Sequence, residues 1–191
     1  MMLKTAMRWS GLALVAGVAL ISAAVALVSV PNLGLSSLPV DTALFAGALL
    51  LMLGLPGMYA RQADAAGWLG LAGHILLTVG AVLLIVAGAL RLVNPAIKGL
   101  GESATAFLLA TALLLGLGLT AIATLRAAIY PRWTGILLLG ASAGFLFSFY
   151  MSEYLPPPAS PVGAMVFGAF LAAALIWIGI SLWRDAGSPA L

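Results

Sequence analysis

The chain has 191 residues, of which 64% are hydrophobic and 7% are charged, and its formal net charge is +3. A soluble domain carries roughly 25% charged residues because its surface faces water, so this composition excludes an ordinary soluble protein. The lack of cysteine excludes disulfides, thiol catalysis and cysteine metal sites, and the scattering of eight basic residues along the chain argues against a nucleic-acid partner.

Long apolar segments follow one another along the chain, and they predict helices that cross a membrane. Only helices and closed barrels satisfy the backbone polar groups inside hydrocarbon. Barrel strands alternate polar and apolar residues, whereas the apolar runs here are continuous and about twenty residues long, which is the length of a spanning helix. We predict an all-α, single-domain bundle over residues 1–191 with six transmembrane helices, at about 9–30, 41–60, 67–92, 104–126, 132–152 and 161–183.

The first segment begins like a secretory signal peptide. Lys4 and Arg8 precede an apolar run, and residues 24–26 resemble a cleavage site. The run from residue 11 to residue 30 is longer than the apolar core of a usual signal peptide. We therefore expect a helix that is retained.

Proline and charge mark the breaks between the segments. Proline interrupts a helix and disfavours helical geometry in the residue before it, and it occurs at 31, 95 and 156–158. The other two breaks carry charged residues, at 61–64 and 126–132. Asp41 stands where an N-cap would satisfy the first amides of the second helix.

The distribution of lysine and arginine predicts the orientation of the chain, because cytoplasmic loops carry more of these residues. With the N-terminus inside, the cytoplasmic set is Lys4, Arg8, Arg61, Arg126, Arg132 and Arg184, and the outer set is Arg91 and Lys98. Interfacial tryptophans fall at the cytoplasmic helix ends, at positions 9, 68, 133 and 183. We therefore predict a multi-pass protein of a bacterial-type cytoplasmic membrane, with both termini in the cytoplasm.

Three of the predicted helices begin alike. The matching stretches are Arg8-Trp9-Ser10-Gly11, Gly67-Trp68-Leu69-Gly70 and Arg132-Trp133-Thr134-Gly135. This pattern favours three repeated α-hairpins of about 60 residues, related by an axis along the membrane normal. The alternative is that interfacial tryptophan, cytoplasmic arginine and loop proline recur in any protein that crosses a membrane several times.

Three short stretches resemble segments of small multi-pass bacterial membrane proteins. They are Tyr59-Ala60-Arg61-Gln62-Ala63, Ala66-Gly67-Trp68-Leu69-Gly70-Leu71-Ala72-Gly73 and Tyr130-Pro131-Arg132-Trp133-Thr134-Gly135. The resemblance covers only a small part of the chain, and it implies no particular activity.

Small residues recur at every fourth position along several predicted helices, and such positions let membrane helices pack closely. The candidate packing residues are Gly70 and Thr78 in the third predicted helix, Gly116 and Thr120 in the fourth, and Gly140, Gly144, Ser148 and Ser152 in the fifth. We expect them to form seams within the bundle. A dimer face or a narrow polar path is the alternative.

His74 is the only histidine and the only clearly intramembrane titratable residue. It lies about 9 Å beyond Trp68 along the helix, so its side chain should face protein or water rather than lipid. In the structural interpretation, a neutral imidazole forms a hydrogen bond to a neighbouring helix. In the alternatives, His74 binds a pigment or haem, or acts as a proton or substrate site. A single histidine excludes a bis-histidine haem within one chain and a three-histidine zinc site, and we predict no metal site.

The remaining polar residues give little support to catalysis. Asp41, Arg91, Glu102 and Glu153 can form a polar mouth on the outer side, but no pair has the spacing of a general acid and base. We therefore expect a non-catalytic accessory or structural subunit of a membrane assembly, with no cofactor. Its partners would be the lipid bilayer and other membrane subunits or a second copy of the chain. The alternatives are a small transporter or channel for an apolar or weakly polar solute, and a pigment- or cofactor-binding protein with His74 as ligand.

Overall fold

The computed structural model describes residues 2–29, 37–94, 104–150 and 159–185. Within these ranges the chain forms five helices: α1 (Met2–Ser29), α2 (Ser37–Val93), α3 (Ala104–Ala127), α4 (Arg132–Tyr150) and α5 (Ala159–Asp185). Four of these helices, α1, α2, α3 and α5, contain described segments long and apolar enough to cross a membrane, whereas α4 has a shorter apolar stretch, Arg132–Phe147. The prediction of an all-α, membrane-like bundle is confirmed, with five helices in place of six separate segments.

The long helix α2 reverses its direction at Gly67. Gly67 has φ 57° and ψ −153°, a backbone conformation that only glycine adopts readily. In a straight helix, Asp41 and Arg91 would be about 75 Å apart. Instead, their side chains approach to 3.5 Å. A Cβ built on Gly88 would likewise lie 3.1 Å from the Cβ of Phe45. Helix α2 is therefore an antiparallel hairpin of a first arm (residues 37–66) and a second arm (residues 68–93).

This reversal differs from the break predicted between the second and third segments. Charge at Arg61 and Asp64 predicted an interruption there, but the helical backbone continues through both residues and changes direction only at Gly67. The single glycine supplies the turn, because a positive φ costs it little whereas a side chain would be strained. The connection between the two arms is therefore one residue long.

The helices form a ring in which each neighbour runs antiparallel to the next. The order around the ring is α1, the first arm, the second arm, α3, α4 and α5, and α5 packs back against α1. Close approaches define this order, namely those between Gly54 and Leu14, Phe45 and Gly88, Leu77 and Gly116, Leu125 and Gly135, Phe167 and Gly144, and Gly11 and Gly179.

Apolar side chains fill the centre of the ring. One buried cluster includes residues from all five helices, and its fully buried members include Leu14, Met58, Leu138, Ile178 and Leu182. Large apolar side chains also cover the outside, as at Leu53 and Phe107. An apolar centre inside an apolar exterior is the arrangement of a bundle whose surroundings are hydrocarbon.

One end of the ring contains the Gly67 turn, and we call it the Gly67 end. The beginning of α1 lies here, as does the end of α5, because Arg8 stacks over the ring of Trp183. The α3–α4 connection also lies at this end. There, Ala128 has a positive φ of 51° and its amide donates to the carbonyl of Thr124. This left-handed residue ends α3 and lets α4 begin at Arg132.

Candidate functional site

Buried polar side chains concentrate near the Gly67 end, and we call this group the polar layer. It consists of Gln62 in the first arm, His74 in the second arm, Thr120 and Thr124 in α3, Tyr130 in the α3–α4 connection and Thr134 in α4. All of these side chains are buried except that of His74, which is half-buried. Helices from different parts of the ring therefore bring hydrogen-bonding groups together near this end of the bundle.

A hydrogen bond joins the first arm to α3 at the centre of this layer. The hydroxyl of Thr124 donates to Oε1 of Gln62 over 3.3 Å, and the two residues are 2% and 1% exposed. Gln62 lies on the same helical face as Leu55 and Met58, which are also buried. The i, i+3, i+7 spacing of these three residues is the sequence signal that could have identified Gln62 as an interior residue.

Arg61 fixes the α3–α4 connection against the first arm. Its guanidinium carbon lies 4.7 Å from the centre of the Tyr130 ring, which is the geometry of a cation–π contact. Tyr130 is only 3% exposed, so the contact is partly screened from solvent. Arg61 therefore lies near the Gly67 end of the bundle and also makes a contact in its interior.

His74 is held between the two arms of α2. Its ring stacks on that of Tyr59, with 4.8 Å between the centroids and 16° between the planes. Its backbone carbonyl accepts a hydrogen bond of 2.9 Å from the hydroxyl of Thr78. The Nδ1 atom is buried and has no hydrogen-bond partner within the part of the chain that the structure describes.

Other buried polar atoms near this end share that property. Within the described ranges, Thr120 Oγ1, Thr134 Oγ1 and Trp177 Nε1 also have no hydrogen-bond partner. Thr120 packs on the second arm beside Gly73, where a Cβ would lie 2.7 Å from the Thr120 hydroxyl. Buried polar groups are normally satisfied, so a water or a small polar group beside these atoms would be favoured.

The predicted packing residues occupy different kinds of position. A Cβ on Gly116 would lie 2.8 Å from the Leu77 amide nitrogen, one on Gly140 2.7 Å from the Phe170 ring, and one on Gly144 3.2 Å from the Phe167 Cα. These three glycines lie where helices approach closely. Gly70 instead lies against Ala66 across the hairpin turn, Thr78 bonds within its own helix, and Thr120 belongs to the polar layer. The Ser148 side chain and Ser152 lie outside the described part.

The predicted polar mouth is described only in part. Arg91 Nη1 donates to Asp41 Oδ1 over 3.5 Å, and Asp41 is 8% exposed. The prediction that Asp41 caps a helix is wrong, because α2 begins four residues earlier, at Ser37. Glu102 and Glu153 lie outside the described residues. What the structure brings together here is one ion pair that joins the far ends of the two α2 arms.

The chemistry offered by the polar layer is hydrogen bonding. It presents hydroxyls, one amide and one imidazole, with a guanidinium beside them. Among the described residues, no group of three histidine, cysteine, aspartate or glutamate side chains is placed to hold a metal ion. Comparison with known proteins finds no matching family, no matching curated protein and no matching solved structure.

Proposed function

We propose that the chain is a multi-pass protein of the cytoplasmic membrane and serves as a non-catalytic accessory or structural subunit of a membrane assembly. The observation that carries this proposal is the filled centre of the antiparallel ring. Because apolar side chains occupy that centre, the surface through which the bundle acts on other molecules is its outside. A solute path through the described part of the ring would require buried side chains such as Leu138 and Ile178 to separate.

The proposal includes six membrane crossings with both termini in the cytoplasm. The reversal at Gly67 divides α2 into two arms, each longer than the ~20 residues needed to cross hydrocarbon. Helix α4 has 19 residues, which corresponds to about 28 Å. Exposed tryptophans at the Gly67 end support an interface there, and Arg8, Arg132 and Arg184 at the same end support its cytoplasmic position.

A threefold repeat of hairpins is the finer form of this proposal. The three hairpins would be α1 with the first arm, the second arm with α3, and α4 with α5. Trp9, Trp68 and Trp133 all lie in the first helical segment of their hairpins, and they are 65%, 74% and 40% exposed. Their common location at one end of the ring supports the repeat.

One exposed face of α5 supports a helical partner. Within the described ranges, no atom lies within 4 Å of a Cβ built on Gly168, in contrast to Gly140 and Gly144. Glycine inside a helix costs about 1 kcal/mol relative to alanine, and membrane helices use it where another helix approaches. We therefore propose this face of α5 as the contact surface for the partner, another membrane subunit or a second copy.

Site-specific photo-crosslinking in native membranes tests the proposal. A benzophenone side chain in place of Met165, one turn before Gly168 and 59% exposed, should give an adduct with one protein of defined mass. The matched control is Leu115, which is 49% exposed on α3 and should give lipid adducts only. Gly168→Leu should abolish the protein adduct without lowering the melting temperature. Lipid adducts alone at both positions would contradict the assembly role.

A cofactor-binding function is the second candidate, and the observation in its favour is the buried Nδ1 of His74, which has no hydrogen-bond partner among the described residues. Stacking on Tyr59 holds the imidazole plane in a fixed orientation, as an axial ligand requires. The absorption spectrum of the purified protein distinguishes this candidate from the first.

A further inference from the structure

A groove lies on the outside of the ring where α5 packs back against α1. Gly11 and Gly179 face each other there so closely that a Cβ on either would lie within 2.6 Å of the other's carbonyl oxygen. The groove has a volume of about 240 Å³, and its walls include Leu12, Val15 and Ile180. Leu12 and Ile180 are 46% and 37% exposed, so the groove opens to the surroundings of the bundle. Its apolar lining fits a hydrocarbon chain.

Positive charge lies at one end of this groove. Trp183 and Arg184 complete its lining at the Gly67 end, and the guanidinium carbon of Arg8 lies 5.9 Å from the centre of the Trp183 ring. Both arginines are exposed, and neither forms an ion pair within the described ranges. With Lys4 and Asp185, which flank them in the sequence, these two helix ends carry three basic residues against one acidic residue. A negatively charged group is therefore favoured here.

We propose that this groove binds one anionic phospholipid. An acyl chain lies along Leu12, Val15 and Ile180, and the phosphate contacts Arg184 and Arg8. Trp183 lies at the level of the headgroup, where tryptophan is favoured in bilayers. The two features are continuous, because Arg184 lies one helical turn beyond Ile180 on the same helix. This inference rests on the proposed membrane location.

Native mass spectrometry and thermal shift of the detergent-purified protein test the site. Dioleoylphosphatidylglycerol should be retained at one molecule per chain and should raise the melting temperature more than dioleoylphosphatidylcholine does. Arg184→Gln should weaken phosphatidylglycerol binding about fivefold, since one basic residue near an anionic headgroup contributes roughly that factor. Ile180→Trp fills the groove while both arginines are kept, and it should reduce retention of the same lipid.

Arg132→Gln is the matched control, because Arg132 is also exposed, lies at the same end and neighbours an exposed tryptophan. It should leave lipid retention unchanged. Equal retention of the two lipids, or an equal loss in Arg132→Gln and Arg184→Gln, would overturn the site in favour of non-selective lipid contact. An equal shift with inorganic phosphate would also overturn it, because the groove would then contribute nothing. None of these results bears on the six crossings, which cysteine labelling tests separately.

Discussion

Near the Gly67 end, a buried polar side chain is accommodated by a hydrogen bond to a side chain of another helix. Gln62 would be costly to bury alone, and its amide oxygen accepts the Thr124 hydroxyl from another helix. Such intramembrane hydrogen bonds average only about 0.6 kcal/mol in measured cycles, so they specify which helices meet more than they stabilise the fold. His74 Nδ1 is among the buried atoms that have no hydrogen-bond partner in the described residues, so it is the atom to test for a functional role.

His74 can be tested by two substitutions that separate structure from function. His74→Gln keeps hydrogen-bonding capacity while it removes good metal ligation, and it should fold and assemble with a loss of about 1 kcal/mol, because it removes the ring stacking with Tyr59. His74→Leu removes the same stacking together with the hydrogen-bonding capacity, so it should be less stable than His74→Gln. Melting temperature and an optical spectrum of both variants are the measurements. A coloured wild type that His74→Gln bleaches would overturn the structural role in favour of a cofactor ligand.

At the scale of helices, two left-handed residues shape the turns at the Gly67 end. Gly67 reverses α2 and Ala128 ends α3, with φ values of 57° and 51°. Glycine suits this backbone region, whereas alanine is strained in it. Both positions therefore require a positive φ, but one is occupied by glycine, which tolerates it, and the other by alanine, which does not.

Exchanging the residue type at these two positions should have effects of opposite sign. Gly67→Ala should destabilise the protein by about 1–3 kcal/mol, because the conformation is essentially restricted to glycine. Ala128→Gly should stabilise it by about 1 kcal/mol, since it relieves a positive φ. Reversible unfolding in mixed micelles measures both. If both substitutions shifted stability in the same direction, these backbone conformations would not control it.

Helix identity could be predicted from the sequence much better than helix connection. Continuous apolar runs predict helices regardless of their partners, and the all-α class followed from them. The position of the reversal did not, because charge at Arg61 predicts a loop, whereas Arg61 lies within the helix and its guanidinium covers the Tyr130 ring. Nor could the Gln62–Thr124 pair be inferred, since 62 residues separate its members and only the folded ring brings them together.

The described helices form a ring of antiparallel segments. This antiparallel order determines which helix ends and connections lie at the same end of the bundle. The beginning of α1, the Gly67 turn, the α3–α4 connection and the end of α5 share one end of the ring. Basic residues and exposed tryptophans gather at that end, whereas the Asp41–Arg91 pair lies at the other. The proposed topology places the first end in the cytoplasm.

Impermeant thiol labelling in intact cells tests this topology, and the natural lack of cysteine makes single introduced cysteines informative. Cysteines at Asn32, Lys98 and Ser160 should react, because the proposed outer connections begin or end there. A cysteine at Asp64, which is exposed beside the Gly67 turn, should react only after the cells are permeabilised. Labelling of position 64 in intact cells with protection of the other three would reverse the orientation.

The α2 hairpin also has a mechanical consequence. Its arms are joined covalently through one residue at Gly67. At the opposite end they are joined by the ion pair between Asp41 and Arg91, which are 50 residues apart in sequence. A slide of one arm past the other by a helical turn would strain the one-residue connection and separate the two charges. We therefore expect the hairpin to move as one unit, with motion of the bundle concentrated at the seams between this hairpin and its neighbours α1 and α3.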